Sequence, residues 1–299
     1  MDKIAFVFSG QGDQFPGMGR ELYERYPIAK EIFDLCNRLR PGTTVQCFNG
    51  TEDELKETRN TQPCLFAMEL ASASVLIEKG VFPQAVAGFS LGEVVAATVS
   101  GLFDNETGFR LVCKRGELMQ AEAEKHDTSM AAVVKLTSVQ VQELCNKYSD
   151  VYPVNFNCPG QITVAGLSSQ IPDFSADVKK AGGKAIPLKV NVAFHSPFMN
   201  DTSKAFAAEL AKTDIKTPTI PIYSNFTSEP YTDDAIKLLS AQICNPVQWE
   251  KLIRNMIIDG ADIFVEIGPG RTLTNMIRKI STDVRAVSFA EYLAEVERC

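Results

Sequence analysis

Ser90 stands at the centre of Gly88-Phe89-Ser90-Leu91-Gly92, a G-x-S-x-G pentapeptide preceded by Ala85-Val86-Ala87 and followed by Glu93-Val94-Val95-Ala96-Ala97. A strand that turns sharply into a helix holds its central serine in a strained, exposed conformation, and the flanking glycines remove side chains the turn would crush. The helix start adds unpaired N–H groups and partial positive charge where a carbonyl bonded to that serine would develop negative charge. These residue types in this order describe a nucleophile that attacks a carbonyl carbon.

A serine hydroxyl needs a base, and the chain has only two histidines, His126 and His195. His126 lies in the polar segment 122–128 and reads as a solvated loop residue. His195 lies in Val192-Ala193-Phe194-His195-Ser196-Pro197-Phe198-Met199 and is taken as the base. No carboxylate stands out as the group that orients it; a backbone or amide carbonyl would serve equally, and the spacing leaves that choice open. Ser9-Gly10-Gln11-Gly12 follows the first apolar run, so its N–H groups near Gln11 sit at the same sheet edge as the elbow and join the Leu91 N–H as a two-donor oxyanion site. Arg115, in the amphipathic segment 110–119, has the fork geometry to take a carboxylate if it faces the pocket.

Positioning these groups requires strands and helices in alternation. Short apolar runs at 4–8 and 85–87 alternate with helical patterns at 21–38, 62–79 and 92–100, which suits parallel strands buried on both faces and an α/β fold. The rhythm then changes: strand 130–136, helix 138–148, a hairpin of 151–157 and 161–166, helix 169–181 and strand 184–190. That βαββαβ order predicts a ferredoxin-like unit inserted at 126–193, dividing a core made of 1–125 and 194–299. Helices at 196–212 and 232–244 and strands at 220–224 and 263–267 complete the large sheet.

The 299 residues, 45% of them apolar, supply one large core. Lys plus Arg is 30 against 37 Asp plus Glu, a net charge of −7 without long single-sign blocks, which argues against a nucleic-acid or membrane partner. The eight cysteines form no CxxC pair or metal-like cluster and read as thiols of a reducing compartment. The N-terminal apolar stretch is too short for a signal segment, and no run approaches the roughly 18 residues of a membrane span, so a cytoplasmic protein is expected.

Ordered blocks along the chain resemble the malonyl-CoA:acyl carrier protein transacylases and the related acyltransferase domains of polyketide synthases: GQGDQFPGMG (10–19), TQPCLFAMELA (61–71), GFSLGE (88–93), KRGELMQ (114–120), PVNFNCPGQITVAG (153–166), AFHSPFM (193–199), NPVQW (245–249) and EIGPG (266–270). The resemblance implies an α/β-hydrolase-like core with a ferredoxin-like insert, Ser90 as nucleophile, His195 as base, and Gln11 and Leu91 as oxyanion donors. It implies that Arg115 binds the malonyl carboxylate, that the Gln248 main-chain carbonyl holds His195, and that Asn157 and Met119 lie near the pocket. Phe194 resembles the aromatic residue of malonyl-selective relatives, which crowds an α-methyl group. Phe89 departs from the family, which usually carries histidine there.

The activity implied is transfer of malonyl from malonyl-CoA to holo acyl carrier protein through an O-malonyl-serine. It needs no metal or prosthetic group, and a monomer is expected by analogy. Lys179, Lys180, Lys184 and Lys189 cluster as a candidate carrier-docking patch. A serine thioesterase is the rival enzyme, although its usual order places the histidine late in the chain. An inactive carrier-binding module is the rival from another class, suggested by Phe89.

Overall fold

Five short apolar segments, buried on both faces, build the main sheet of this structure, a computed structural model describing residues 3–188, 190, 192–232 and 234–298. In chain order the elements are β1 (Ile4–Phe8), α1 (Arg20–Arg25), α2 (Pro27–Leu39), α3 (Thr43–Asn49), α4 (Glu52–Lys56), α5 (Thr58–Glu78), β2 (Ala85–Gly88), α6 (Gly92–Val99) and α7 (Asn105–Ala123). There follow β3 (Thr128–Val134), α8 (Ser138–Cys145), β4 (Val151–Cys158), β5 (Gln161–Leu167), α9 (Ile171–Lys180) and β6 (Lys184–Pro187). The chain ends with α10 (Asn200–Leu210), β7 (Ile222–Tyr223), α11 (Ala235–Cys244), α12 (Trp249–Ile258), β8 (Ile263–Ile267), α13 (Thr272–Ile280), β9 (Arg285–Ser288) and α14 (Phe289–Val296).

The main sheet runs β7-β2-β1-β8-β9, all parallel. Alternate residues of β1 divide between two cores: Phe6 and Phe8 pack with α2, α5, α6 and α7, whereas Ala5 and Val7 pack with α12 and α13. β1 and β2 are neighbours, so the loops leaving their carboxyl ends emerge side by side, which is where Gln11 and Ser90 stand.

The second sheet is antiparallel, in the order β4-β5-β3-β6, and its four strands lie inside 126–193. Helices α8 and α9 cover one face around Phe174, Val133 and Val164. The other face presents Met130, Val154 and Ala165 to Ala193, Phe194 and Phe198, so the segment carrying His195 is sandwiched between the two sheets' cores.

Several expected elements differ in detail. The helix expected at 21–38 is two helices, because Pro27 cannot continue a helix and holds Tyr26 extended (φ −120°) before starting α2. The helix expected from 196 opens with a 3-10 turn at Pro197–Met199, and the strand expected at 220–224 is only two residues long. β6 ends at Pro187, and Lys189 of the candidate basic patch lies outside the described residues. Among the described residues no helix is long and apolar enough to cross a membrane.

Candidate active site

The turn from β2 into α6 is tight enough to require both glycines. A Cβ on Gly88 would lie 1.9 Å from the Gly92 carbonyl carbon, and one on Gly92 would lie 2.4 Å from the Phe8 oxygen. Ser90 sits between them in the left-handed region, at φ 55°. Asn225, just after β7, braces the turn: its Oδ1 accepts from Ser90 N (2.7 Å) and its Nδ2 donates to Gly88 O (2.5 Å). Phe89 N donates to Phe8 O at 2.9 Å, tying the elbow to the end of β1. The backbone N–H groups of Leu91 and Gln11 have no hydrogen-bond partner among the described residues, leaving both free to receive an oxyanion.

His195 is buried and also has a left-handed backbone, at φ 59°. Its Nδ1 lies 2.7 Å from the main-chain carbonyl of Gln242, near the end of α11, and its Nε2 lies 2.8 Å from Ser90 Oγ. A carbonyl only accepts, so Nδ1 carries the hydrogen and the neutral ring's Nε2 accepts from Ser90. The orienting carbonyl therefore belongs to Gln242 and not to Gln248. Gln248 instead donates its N–H to Asn225 O and accepts from Leu252 N, starting α12. Gln242 and Gln248 are only six residues apart, and sequence alone does not say which carbonyl faces the ring.

Arg115, on α7, is fully buried. Its Nη1 donates to Gln62 Oε1 (2.9 Å), and its Nη2 donates to Gln242 Oε1 (2.8 Å) and to Ser90 Oγ (3.2 Å). Its Nε has no partner among the described residues. A guanidinium is thus buried at Ser90 against two neutral amides, with no carboxylate in contact among the described residues. Met119 is buried behind it and does not line the cleft; its Sδ accepts from Gln62 Nε2 at 3.4 Å, which turns the Gln62 oxygen toward Arg115.

Above Ser90 opens a cleft of about 580 Å³ between the two sheets, whose walls include Gln11, Phe89, Met130, Asn155, Phe194 and His195. Asn157 lines an adjoining recess that shares Gln11, Phe89 and Asn155 with the cleft; its Nδ2 donates to Thr163 Oγ1, and its Oδ1 is buried without a partner among the described residues. Phe89 stacks edge-on against Trp249 with centroids 5.5 Å apart, an apolar floor beside the nucleophile. His126 is exposed but not free in solvent: it lies 3.4 Å from the Glu122 carboxylate and its ring packs on Phe198. Lys179, Lys180 and Lys184 are exposed on the second sheet's layer, with Lys180 paired to Asp177.

The buried polar residues Gln62, Glu93, Asn225 and Gln242 complete the constellation and were not singled out by spacing. Gln62 lies in the 61–71 block and Glu93 closes the 88–93 block, so those two carried a signal; Asn225 and Gln242 stand outside every block.

Burial and the nearby Arg115 charge push the His195 pKa down to about 4, against the opposing pull of the Gln242 and Asn245 main chain. The ring is neutral, and so able to accept the Ser90 proton, at any pH above that. Acylation of Ser90 should accordingly stay level from about pH 8 to pH 5.5 in rapid-quench measurements; a midpoint near the ordinary 6.5 would show a solvated ring. The same depression makes the unfolded chain bind a proton that the folded chain refuses between pH 6.5 and about 4, so this residue's contribution to stability falls as pH falls through that window.

The acyl transferase domain family matches residues 5–298. The malonyl CoA-acyl carrier protein transacylase of Bacillus subtilis is 34% identical, covering 97% of this chain and 94% of that protein. The solved malonyl CoA-acyl carrier protein transacylase of Clostridium perfringens superposes with a TM-score of 0.95 at 33% identity, over 99% of this chain and 98% of that one. A malonyl-transacylase solved in complex with its type II polyketide acyl-carrier protein matches at a TM-score of 0.95 and 30% identity over the full length of both. This chain therefore belongs to the acyl transferase family, with the malonyl CoA-acyl carrier protein transacylases as its full-length relatives.

Proposed function

We propose that this chain transfers a malonyl group from malonyl-CoA to the phosphopantetheine thiol of holo acyl carrier protein, for fatty acid or polyketide synthesis. The observation that carries the reading is Arg115: a buried cation at the nucleophile, held by neutral amides, suits an acyl group that brings its own carboxylate. In the first half-reaction Ser90 Oγ passes its proton to His195 Nε2 and attacks the thioester carbonyl. The Gln11 and Leu91 N–H groups receive the oxyanion, and the C–S bond breaks as His195 returns the proton to the departing CoA sulfur. The carrier thiol then gives its proton to His195, attacks the O-malonyl ester, and leaves Ser90 reprotonated.

The two-sheet arrangement supports 1–125 with 194–299 as the catalytic core and 126–193 as the layer that closes the cleft. The described cysteines are free thiols, in keeping with action in the reducing cytoplasm. Phe194 on the cleft wall supports malonyl over methylmalonyl, since one methyl in a tight pocket is worth about 1–3 kcal/mol. Phe194→Ala should narrow that preference roughly tenfold in competition assays using both CoA thioesters.

Intact mass after incubation with malonyl-CoA tests the whole reading. A malonyl adduct that is absent in Ser90→Ala and discharged onto added holo carrier protein supports transfer. Free malonate without carrier loading would make the chain a thioesterase, and no adduct would make it a binding module.

A further inference from the structure

Glu93 lies at the second position of α6, is fully buried, and touches neither the cleft nor the reacting atoms. Its Oε2 receives Asn225 N (3.2 Å) and Gln242 Nε2 (3.1 Å), and its Oε1 receives the Tyr231 hydroxyl (2.6 Å). Gln242 is the busier partner. Its Nε2 also donates to Ser90 O (2.8 Å), its Oε1 accepts from Arg115, and its main-chain carbonyl orients His195. One residue therefore joins nucleophile, base and guanidinium.

A glutamine side chain can turn its amide over without changing shape, and only its neighbours decide which end faces where. Turned over here, the amide would point its nitrogen at Arg115, donor against donor, and its oxygen at two oxygens, Ser90 O and Glu93 Oε2. We propose that Glu93 is a positioning residue that sets selectivity for acyl groups bearing a carboxylate: by fixing the Gln242 amide, it keeps Arg115 aimed at the floor of the cleft. This rests on the malonyl-transfer reading above and adds the residue that enforces it.

The arrangement survives protonation of Glu93. Burial pushes its carboxyl up to about 8, with Tyr231, the Asn225 N–H and Arg115 opposing. Both neighbours of Oε2 are N–H donors, whereas the Tyr231 oxygen can accept, so a proton resides on Oε1 and Oε2 goes on receiving Gln242. A glutamine at position 93 reproduces this pattern, its oxygen toward Gln242 and its NH2 toward Tyr231. Leucine keeps much of the volume and offers Gln242 nothing.

The test measures kcat and KM for malonyl-CoA and acetyl-CoA, with holo carrier protein as acceptor, in the parent, Glu93→Gln and Glu93→Leu. Glu93→Gln should keep the parent's malonyl-to-acetyl ratio within threefold. Glu93→Leu should cut it at least tenfold, mainly through a raised KM for malonyl-CoA, with the acetyl reaction losing at least tenfold less. Equal losses for both substrates would show a merely structural residue and overturn the proposal, as would an unchanged ratio. Should Glu93→Leu fail to fold, Gln242→Met removes the amide while keeping the carbonyl at His195; the same tenfold fall supports the proposal and a preserved ratio overturns it. A parent without malonyl preference defeats the function reading and this inference together, whereas a parent that has the preference and a Glu93→Leu that keeps it defeat this inference alone.

Discussion

Replacing His195 with alanine should slow acylation of Ser90 by roughly 10³-fold, within the ~10²–10⁴ that a positioned general base contributes. The size of the loss follows from the absence of a stand-in. Among the described residues the ring's Nε2 is the only base on Ser90 Oγ, since the other contact of that oxygen is a guanidinium that can only donate. The second histidine is held at the surface by Glu122 and Phe198, and the residue before the nucleophile is Phe89, with no proton to exchange. Rapid-quench mass spectrometry of the O-malonyl adduct measures the effect, with Ser90→Ala as the blank. Acylation at more than a tenth of the parent rate would remove His195 from the mechanism.

Arg115→Ala should reverse the order of preferred substrates. Removing one member of a buried, hydrogen-bonded charge pair costs about 2–5 kcal/mol, so kcat/KM for malonyl-CoA should fall roughly 30- to 4,000-fold. Acetyl-CoA presents no carboxylate and should lose far less. Arg115→Lys should recover little, because the parent guanidinium uses its two terminal nitrogens on three partners at once and an ammonium has no such fork. Steady-state kinetics with both thioesters decide the point, and a malonyl preference retained in Arg115→Ala would sink the clamp.

What the sequence disclosed and what it withheld divide along a physical line. The elbow was legible because its cause is local: an apolar strand, two glycines around a serine, and a helix-forming run lie within a dozen residues. The βαββαβ order of 128–187 was legible for the same reason, since each element declares its own period. The break at Tyr26 was also local, and the apolar spacing of 21–38 hid a proline that decides it. The carbonyl behind His195 was a different kind of question. Gln242 and Gln248 both follow from the same stretch of chain, and the choice depends on where α11 stops relative to a residue 47 positions away. Asn225, Gln62 and Glu93 are buried polar residues whose partners come from distant elements, so no spacing could announce them.

Ser90 and His195 share one further property: both have positive φ without being glycine. For an L-residue that conformation costs roughly 1–2 kcal/mol, so the two ends of the proton-transfer bond sit where the backbone is least at ease. Glycine at either position would relieve that cost, but it would remove the Ser90 hydroxyl or the His195 ring. Stability and the hydrogen bond between Ser90 Oγ and His195 Nε2 therefore make opposing demands on the same two torsion angles.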